Sequence, residues 1–186
     1  MDHYLDVSFD ASVDFPLVHQ MTSFYQGLHL YLVNTRAQLG VTFPEMQLRG
    51  RSPLGSLIRL HGTRDALTVF IGNPSLSRIR SPFRLSEIEK TPLLSQPRTF
   101  WRHQPKSIVQ MRKRAIKRHG LTEAQAIERY PSDMHEQSSQ PYLELRSLST
   151  HQTFKLFFVK GNPKSETVTG DFNTYGLSPT ATLPWF

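Results

Sequence analysis

The 186-residue sequence contains no cysteine, so chemistry that depends on a thiol is excluded. Such a chain forms no disulfide, no thiolate zinc site and no cysteine nucleophile, and it is compatible with a reducing cytosol. No apolar run approaches the roughly 20 residues that a membrane-spanning helix needs. The N-terminus carries acids early and lacks the apolar run of a signal peptide. We therefore expect a cytoplasmic protein that has no membrane partner.

Ligand-like spacing is also missing from the side chains that bind metals. The eight histidines are scattered along the chain. They lack the close, regular spacing of zinc sites, and the carboxylates form no cluster of the kind that holds magnesium. The sequence therefore predicts neither a metal site nor a cofactor.

Acidic residues are absent from one long interval, between Glu89 and Glu123. The same interval holds nine lysines and arginines, which are Lys90, Arg98, Arg102, Lys106, Arg112, Lys113, Arg114, Lys117 and Arg118. The net charge of +7 and the isoelectric point near 9.9 are therefore largely local features. A solvated helix surface usually mixes charges of both signs, and this interval has no acid to pair with its cations.

A helix ending near His119 would separate these residues into two faces. The basic face would hold Lys106, Gln110, Lys113, Arg114, Lys117 and Arg118. The opposite face would hold Ile108, Val109, Met111, Ala115 and Ile116. This apolar set is too modest for a membrane-surface helix, so we expect one face to pack on protein and the other to bind a polyphosphate. Gly120 is placed to end the helix, and Thr122 with Gln125 forms the capping-box pattern of a second helix.

Arg102 and Gln104 alternate with His103 on a segment that is predicted to be extended, so both can point to one side. Arginine can form two hydrogen bonds with the edge of guanine, and glutamine can form two with the edge of adenine. The pair therefore has the side chains that read a purine step.

The first half of the chain shows the element order βαββαβ. Strands are predicted near 5–9, 40–44, 57–61 and 76–85. Helices are predicted over 17–38 and 63–71, and residues 14–16 form the predicted start of the first helix. This order is the ferredoxin-like arrangement, which RNA-recognition folds often use. Residues 90–97, with two prolines, suggest a linker.

After that linker we expect a second domain. Following the basic stretch, strands over 142–147 and 154–160 form a predicted hairpin with its tip near 149–151, and a last strand is predicted over 167–175. We read Trp185 and Phe186 as packing residues. The predicted fold class is therefore α+β, with a ferredoxin-like domain over 1–94 that carries His29, and a C-terminal α+β domain over 95–186 that carries the basic helix and the hairpin.

Several short motifs together resemble one known family. They are M-D-H-Y-L-D at residues 1–6, G-L-H at 27–29, G-V-x-F-P at 40–44, R-x-Q-x-K-S at 102–107, R-S-x-S-T at 146–150, Y-G-L-S at 175–178 and P-W-F at 184–186. Their order along the whole chain resembles the CRISPR-associated endoribonuclease of subtype I-F. That family cuts the repeat RNA of the CRISPR precursor transcript.

The resemblance implies a reaction and a set of site residues. A ribose 2′-OH would attack its own 3′ phosphate at the 3′ base of a stem, leaving a 2′,3′-cyclic phosphate and a 5′-OH, with no metal. The catalytic positions would be His29 as general base, Ser147 as the residue that holds the hydroxyl, and Tyr175 as an orienting residue. The expected RNA-binding residues are Arg102, Gln104, Lys106, Ser107, Lys113, Arg114, Lys117, Arg118, His119, Ser149 and Phe154. The expected partners are the repeat stem-loop and the other subunits of the type I-F surveillance complex.

Each assignment has a structural alternative. His29 adjoins the apolar stripe of its helix, and a helix histidine is often a packing residue. Ser147 and Ser149 suit a turn, Phe154 suits a core, and Tyr175 suits a buried strand. Gly27, which is costly inside a helix, indicates a close approach to the backbone that a helix contact would also explain.

The basic helix departs from the family pattern. The family favours arginine here, whereas Lys113 and Lys117 stand in this chain. Lysine binds phosphate as a point charge and cannot fork onto it or onto guanine, so contacts in the groove are expected to be fewer or less specific. Two rival functions stay open: an RNA-hairpin-binding subunit that does not cleave, and a DNA-binding regulator. The second lacks helix-turn-helix spacing and a dimer-forming element.

Overall fold

The computed structural model describes residues 1–10, 16–48, 50, 52–74, 76–79, 82–132, 138–147 and 150–186. The strands in these ranges are β1 (His3–Ser8), β2 (Gly40–Thr42), β3 (Leu57–Gly62), β4 (Arg84–Leu85), β5 (Glu89–Lys90), β6 (Gln96–His103), β7 (Tyr142–Arg146), β8 (Thr153–Pro163) and β9 (Ser178–Trp185). The α-helices are α1 (Leu17–Thr35), α2 (Arg64–Ile71), α3 (Ile108–His119) and α4 (Glu123–Arg129), and a 3₁₀ turn covers Leu76–Arg78.

The first sheet has the strand order β2-β3-β1-β4, and β5 also pairs with β1. The pairs β1–β3, β2–β3, β1–β4 and β1–β5 are antiparallel. Leu5 and Val7 of β1 lie opposite Leu60 and Ile58 of β3, and all four side chains are buried. With two helices in the order βαββαβ, this sheet has the ferredoxin-like arrangement. The prediction for the first half of the chain is confirmed.

Helix α1 buries one apolar stripe. Met21, Phe24, Leu28 and Leu32 recur at helical spacing and are buried. Pro16 stands at the N-cap, as expected, whereas residues 14 and 15 of the predicted helix start lie outside the described residues. The helix ends at Thr35, three residues before the predicted end, because Arg36 adopts a left-handed conformation and its N–H donates to the Leu32 carbonyl.

The second sheet has the order β7-β8-β6-β9. Strands β7 and β8 form the predicted antiparallel hairpin, in which Leu143 faces Leu156 and Leu145 faces Phe154. The alternation along β7 buries Leu143 and Leu145 and leaves Tyr142, Glu144 and Arg146 exposed. The hairpin prediction is therefore confirmed, although residues 148 and 149 of its tip lie outside the described residues.

The predicted last strand over 167–175 is wrong. That segment is irregular, and the strand is β9, which begins at Ser178 and pairs with β6. Pro179 and Pro184 lie within β9, although proline has no N–H to donate to a ladder. Strand β9 lies at the edge of its sheet, where one side needs no partner, so the edge tolerates both prolines.

Both sheets contribute to one hydrophobic core. Phe100 of β6 stacks on Phe158 of β8 with ring centroids 5.8 Å apart, and Phe43, which follows β2, lies 4.7 Å from the Phe158 ring. The chain accordingly divides into one compact unit of residues 1–102 with 140–186, and a second unit of residues 103–139. This division does not follow the expected boundary between 94 and 95, because the second sheet shares its core with the first. Separate functions for 1–94 and 95–186 stay a prediction.

The expected linker over 90–97 is shorter in the structure. Its first residue, Lys90, ends β5, and its last two residues, Gln96 and Pro97, begin β6. Only residues 91–95 lie between strands.

The second compact unit is built around α3 and α4. Gly120 ends α3 in a left-handed conformation with a φ of 64°, and Thr122 with Gln125 forms the capping box of α4. Both predictions are confirmed. The apolar face of α3 is less covered than expected: Ala115 is buried, whereas Val109 is 57% and Ile116 39% exposed. None of the described helices is both long and apolar enough to cross a membrane.

Candidate active site

His29 lies on the exposed edge of the α1 stripe and is half-buried. Its Nδ1 atom is 2.7 Å from the backbone carbonyl oxygen of Thr174, a residue 145 positions away. A carbonyl can only accept a hydrogen bond, so Nδ1 carries the proton and donates it. In a neutral imidazole the lone pair then resides on Nε2. This contact leaves Nε2 as the nitrogen that can take a proton.

Tyr175 stacks on the His29 ring. The two ring centroids are 4.0 Å apart and the planes differ by 5°. Together with the Nδ1 hydrogen bond, the stack restrains both the plane and the direction of the imidazole. Tyr175 therefore lies where an orienting residue is expected, and it belongs to a turn, not to the buried strand of the alternative interpretation.

Arg102 and Phe154 border this pair of rings. The Arg102 guanidinium carbon is 5.8 Å from the Tyr175 ring centroid and 5.5 Å from the Phe154 centroid. Both distances fall within cation–π range. The Nε atom of Arg102 is buried without a hydrogen-bond partner in the described part of the chain. The strands β6 and β8 thus deliver a cation and a half-buried aromatic ring to the neighbourhood of His29.

Gln26 joins the hairpin to the helix. It lies three residues before His29, so the two side chains share a helix face. Its Nε2 donates to the carbonyl of Arg146 at 2.9 Å, the residue before Ser147. The hydroxyl oxygen of Ser147 accepts the N–H of Thr150 at 3.2 Å. The backbone at Ser147 is therefore tied to the face of α1 that carries His29, whereas Ser149 lies outside the described residues.

Four residues of this site were not predicted from the sequence: Tyr25, Gln26, Thr174 and Asn173, whose side-chain oxygen accepts the N–H of Tyr175 at 2.9 Å. The Tyr25 hydroxyl donates to the Tyr175 carbonyl at 2.7 Å. Tyr25 and Gln26 carried a usable signal, since they precede His29 by four and three residues on one helix. Thr174 carried none, because it contributes its backbone.

Gly27 has the structural explanation that the sequence left open. A Cβ atom there would lie 2.9 Å from two side-chain carbons of Ile79, so a neighbouring side chain already occupies the space beside this glycine. No ligand is needed to explain Gly27 within α1.

The basic residues of the second unit line an exposed surface. Lys113, Arg114, Lys117, Arg118 and His119 on α3 are all exposed. Among the residues that the structure describes, no carboxylate forms a salt bridge with these side chains. The last turn contains Lys117, Arg118 and His119, where positive charge also suits the helix dipole. Unbalanced positive charge of this kind is typical of a phosphate-binding surface.

The residues just before α3 lie differently from the predicted helical face. Gln104 and Lys106 are exposed and belong to neither β6 nor α3. Ser107 is the N-cap, and its hydroxyl accepts the N–H of Gln110 while the Gln110 side chain accepts the N–H of Ser107. Ser107 therefore has a capping role that the S-x-x-Q pattern could have revealed.

No group of three or more histidine, cysteine, aspartate or glutamate residues with metal-binding geometry occurs within the described ranges. The polar groups described around the stacked His29 and Tyr175 rings are the carbonyls of Thr174 and Tyr175, the Tyr25 hydroxyl and the Arg102 guanidinium.

Comparison with known proteins identifies the family of this chain. Residues 4–186 match the model of a family described as CRISPR-associated protein (Cas_Csy4). The chain is 34% identical over 188 residues to the CRISPR-associated endonuclease Cas6/Csy4 of Escherichia coli (strain UTI89 / UPEC), with 100% of both chains covered. The chain belongs to this family. It is also 34% identical, over the same length and coverage, to the CRISPR-associated endonuclease Cas6/Csy4 of Pseudomonas aeruginosa (strain UCBPP-PA14).

Membership of the Cas6/Csy4 family makes this chain a CRISPR-associated endonuclease and confirms the resemblance drawn from the motifs. Within the first compact unit, the structure brings His29, Tyr175, Arg102 and Phe154 together around one edge of α1. The roles of the individual residues stay predictions.

Proposed function

We propose that this endonuclease is a metal-independent endoribonuclease that cuts the repeat RNA of a CRISPR transcript. It binds one repeat stem-loop, cleaves at the 3′ base of the stem and retains the product. It acts in the cytoplasm with the other subunits of the type I-F surveillance complex. Family membership and the hydrogen-bonded, stacked geometry of His29 support this proposal.

His29 is the general base. Its Nε2 takes the proton of the 2′-OH of the nucleotide before the cut, and the 2′ oxygen forms a bond to the adjacent phosphorus. The bond from phosphorus to the 5′ oxygen breaks, and that oxygen takes up a proton. The products are a 2′,3′-cyclic phosphate and a 5′-OH. Proton transfer by a positioned side chain typically contributes about 100- to 10,000-fold to the rate.

The neighbouring residues position the reactants. Ser147 holds the 2′-OH in line with the phosphate, and Tyr175 keeps the imidazole in the plane that its stack defines. Phe154 offers a half-buried ring on which the terminal base pair of the stem can stack. Arg102 reads a base of the stem, and its guanidinium is near both rings.

The basic face of α3 binds the stem. Most of its contacts go to phosphates, because the major groove of an A-form helix is too narrow for ordinary readout by side chains. Lys113 and Lys117 act as point charges, whereas Arg114 and Arg118 can fork onto phosphate oxygens. Gln104, Lys106, Ser107, His119 and Ser149 complete the proposed RNA-binding set.

The observation that carries the proposal is the hydrogen bond from His29 Nδ1 to the Thr174 carbonyl. It leaves Nε2 as the basic nitrogen of a neutral ring, as abstraction of a hydroxyl proton requires.

The decisive experiment incubates the protein with a repeat stem-loop in EDTA and analyses the RNA ends. We expect cleavage at an unchanged rate, with a cyclic phosphate on one product and a 5′-OH on the other. A matched RNA with a single 2′-deoxy nucleotide before the cut should bind equally and stay intact.

Four results would contradict the proposal. Cleavage of the deoxy RNA would refute the mechanism, and loss of activity in EDTA would refute metal independence. Binding without any cleavage would favour the RNA-hairpin-binding subunit, and equal competition by duplex DNA would favour a DNA-binding regulator.

A further inference from the structure

The turn formed by residues 172–177 is held by a dense set of hydrogen bonds to its backbone carbonyls. The carbonyls of Asn173 and Leu177 accept the N–H groups of Gly176 and Asn173, at 2.8 and 3.0 Å. The Gly176 carbonyl accepts the N–H of Val41 in β2 at 2.8 Å. The carbonyls at positions 174 and 175 accept hydrogen bonds from side chains of α1. Every carbonyl from 173 to 177 therefore has a donor.

Asn173 organises this turn from within. Its side-chain Oδ1 accepts two backbone N–H groups, from Tyr175 at 2.9 Å and from Leu177 at 3.2 Å. These two bonds span Thr174 and so set the direction of its carbonyl. The side chain serves only as an acceptor in both contacts.

Tyr25 fixes the turn from outside. It is fully buried, its ring packs against Phe43 and Phe158, and its hydroxyl donates to the Tyr175 carbonyl at 2.7 Å. Burial, and secondarily the nearby Tyr175 phenol, raise the pKa of Tyr25 well above its usual value of 10, so the hydroxyl stays a donor at neutral pH. Tyr25 and His29 are four residues apart on α1 and thus bind consecutive carbonyls of the turn from one helix face.

Gly176 permits the close approach of the turn to β2. It has a φ of +70°, and an added Cβ would collide with the Val41 side chain and lie 3.1 Å from the Leu39 carbonyl oxygen. The turn is therefore fixed to the edge of the first sheet as well as to α1.

We propose that Asn173 and Tyr25 are positioning residues that hold His29 as its Nδ1–H tautomer by fixing the Thr174 carbonyl in front of the ring. The inference deepens the proposed function and rests on it, because the tautomer matters for catalysis only if His29 Nε2 takes the proton. Without the fixed carbonyl, a neutral imidazole can carry its proton on Nε2, and that nitrogen then has no lone pair for the 2′-OH.

The first test reads the tautomer directly, without RNA. Long-range proton–nitrogen NMR spectra at a pH of about 8 distinguish the two nitrogens of each neutral histidine ring. Loss of a signal set in His29→Ala assigns His29 among the eight histidines. We expect the Nδ1–H tautomer in the unmodified protein and a shift towards the Nε2–H tautomer in Asn173→Ala.

The second test measures single-turnover cleavage and RNA affinity separately. Misplacement of a catalytic group can cost about 100-fold, so Asn173→Ala should lose up to that much in the rate at saturating RNA. Its dissociation constant should change little, because the turn carries none of the proposed RNA-binding residues. Tyr25→Phe, which keeps the buried ring, should give a smaller loss of the same kind.

Two variants separate positioning from general stability. Asn173→Asp keeps an acceptor oxygen of the same shape, so it should restore both the tautomer and most of the rate. Tyr31→Phe is the matched control, since Tyr31 is also a buried tyrosine of α1 but packs on Phe70, away from the turn. Its tautomer and rate should equal those of the unmodified protein.

The outcomes distinguish this inference from the proposed function. An unchanged tautomer and rate in Asn173→Ala would overturn the role of Asn173, and the same result in Tyr25→Phe would overturn that of Tyr25. If Asn173→Ala does not fold, Tyr25→Phe and Asn173→Asp decide the question, and loss of the Nδ1–H tautomer in Asn173→Asp would count against the proposal. If the unmodified protein cuts no stem-loop, the proposed function fails, and the NMR measurement still decides whether the turn sets the tautomer.

Discussion

The surroundings of His29 and the basic face of α3 are built in opposite ways. His29 is half-buried, stacked on Tyr175 and hydrogen-bonded to a carbonyl. The cations of α3 are exposed and form no salt bridge within the described residues. The side chains around His29 have one arrangement, which contacts from several elements hold in place. The long side chains on α3 can adopt many conformations.

This difference matches the physical demands of the two tasks. Proton transfer requires a donor and an acceptor at hydrogen-bonding distance, so a small displacement has a large effect on rate. Attraction between a cation and a phosphate is less directional, and exposed lysines adapt to it. We therefore expect substitutions near His29 to change the rate of cleavage and substitutions on α3 to change affinity.

The largest effect is expected for His29→Ala. Removal of the general base should slow cleavage at saturating RNA by about 100- to 10,000-fold, and the dissociation constant should change little. Single-turnover rates and binding titrations check both values, with Lys117→Ala as the converse variant. A parallel loss of affinity and rate in His29→Ala would indicate a structural role and remove the contrast between the regions.

Arg102→Ala tests whether a residue close to His29 can affect affinity. Arg102 borders the stacked rings of His29 and Tyr175, but it is proposed to contact a base of the stem. The loss should be about 1–3 kcal/mol of binding free energy for the preferred stem, and less for a stem whose contacted base pair is changed. Binding titrations on the two stems measure the difference. Equal losses on both would mean that Arg102 acts only as a positive charge.

Acid should destabilise the first compact unit through His61. Burial, and then the nearby Arg59 charge, lower the pKa of His61 from 6.5 to about 3. Below pH 6.5 the unfolded chain takes a proton that the folded chain does not, so stability is lost as pH falls towards 3. Between pH 7.5 and pH 5, the free energy of unfolding should fall by about 2 kcal/mol more in the unmodified protein than in His61→Gln.

Denaturant unfolding at the two pH values provides the measurement. His19→Gln is the control, because His19 is exposed on α1. If His61→Gln shows the same pH dependence as the unmodified protein, His61 is not the buried group that makes the unit sensitive to acid.

The Tyr175 stack should give a smaller effect. A stacked pair of aromatic rings contributes about 0.5–1.5 kcal/mol, so Tyr175→Leu should slow cleavage by roughly 2- to 10-fold beyond any loss seen in Tyr175→Phe. Single-turnover rates of the two variants check this. A large loss in Tyr175→Phe would show instead that the phenol hydroxyl takes part in the reaction.

The smallest change is expected on α3. Lys117→Ala should lower the magnitude of the slope of log K against log salt by about 0.7–0.9, the value for one phosphate contact, on every stem tested. Lys90→Ala, at an exposed lysine of β5, should leave the slope unchanged. A loss confined to one stem sequence would contradict a phosphate role for Lys117.

The outcome at Ser107 and at β9 shows where sequence reasoning was sufficient and where it was not. The S-x-x-Q pattern that begins at Ser107 is typical of a capping box, so the N-cap role of this residue is predictable from the sequence. Strand β9 is not predictable in this way. Its two prolines are acceptable only on an edge strand, and its edge position becomes known only when β9 pairs with β6 in the folded sheet.

The sequence by itself determined the ferredoxin-like order of elements, the caps of α3 and α4, the hairpin and the concentration of positive charge. These features depend on residues close together in the chain, whose spacing and propensities are readable. Tertiary structure alone decided what surrounds His29. Its carbonyl partner is 145 residues away, and the Tyr25 and Gln26 bonds span 150 and 120 residues. Such contacts exist only after both sheets pack on one core, and two of the three acceptors are backbone carbonyls of a turn, whose direction no side chain in the sequence reveals.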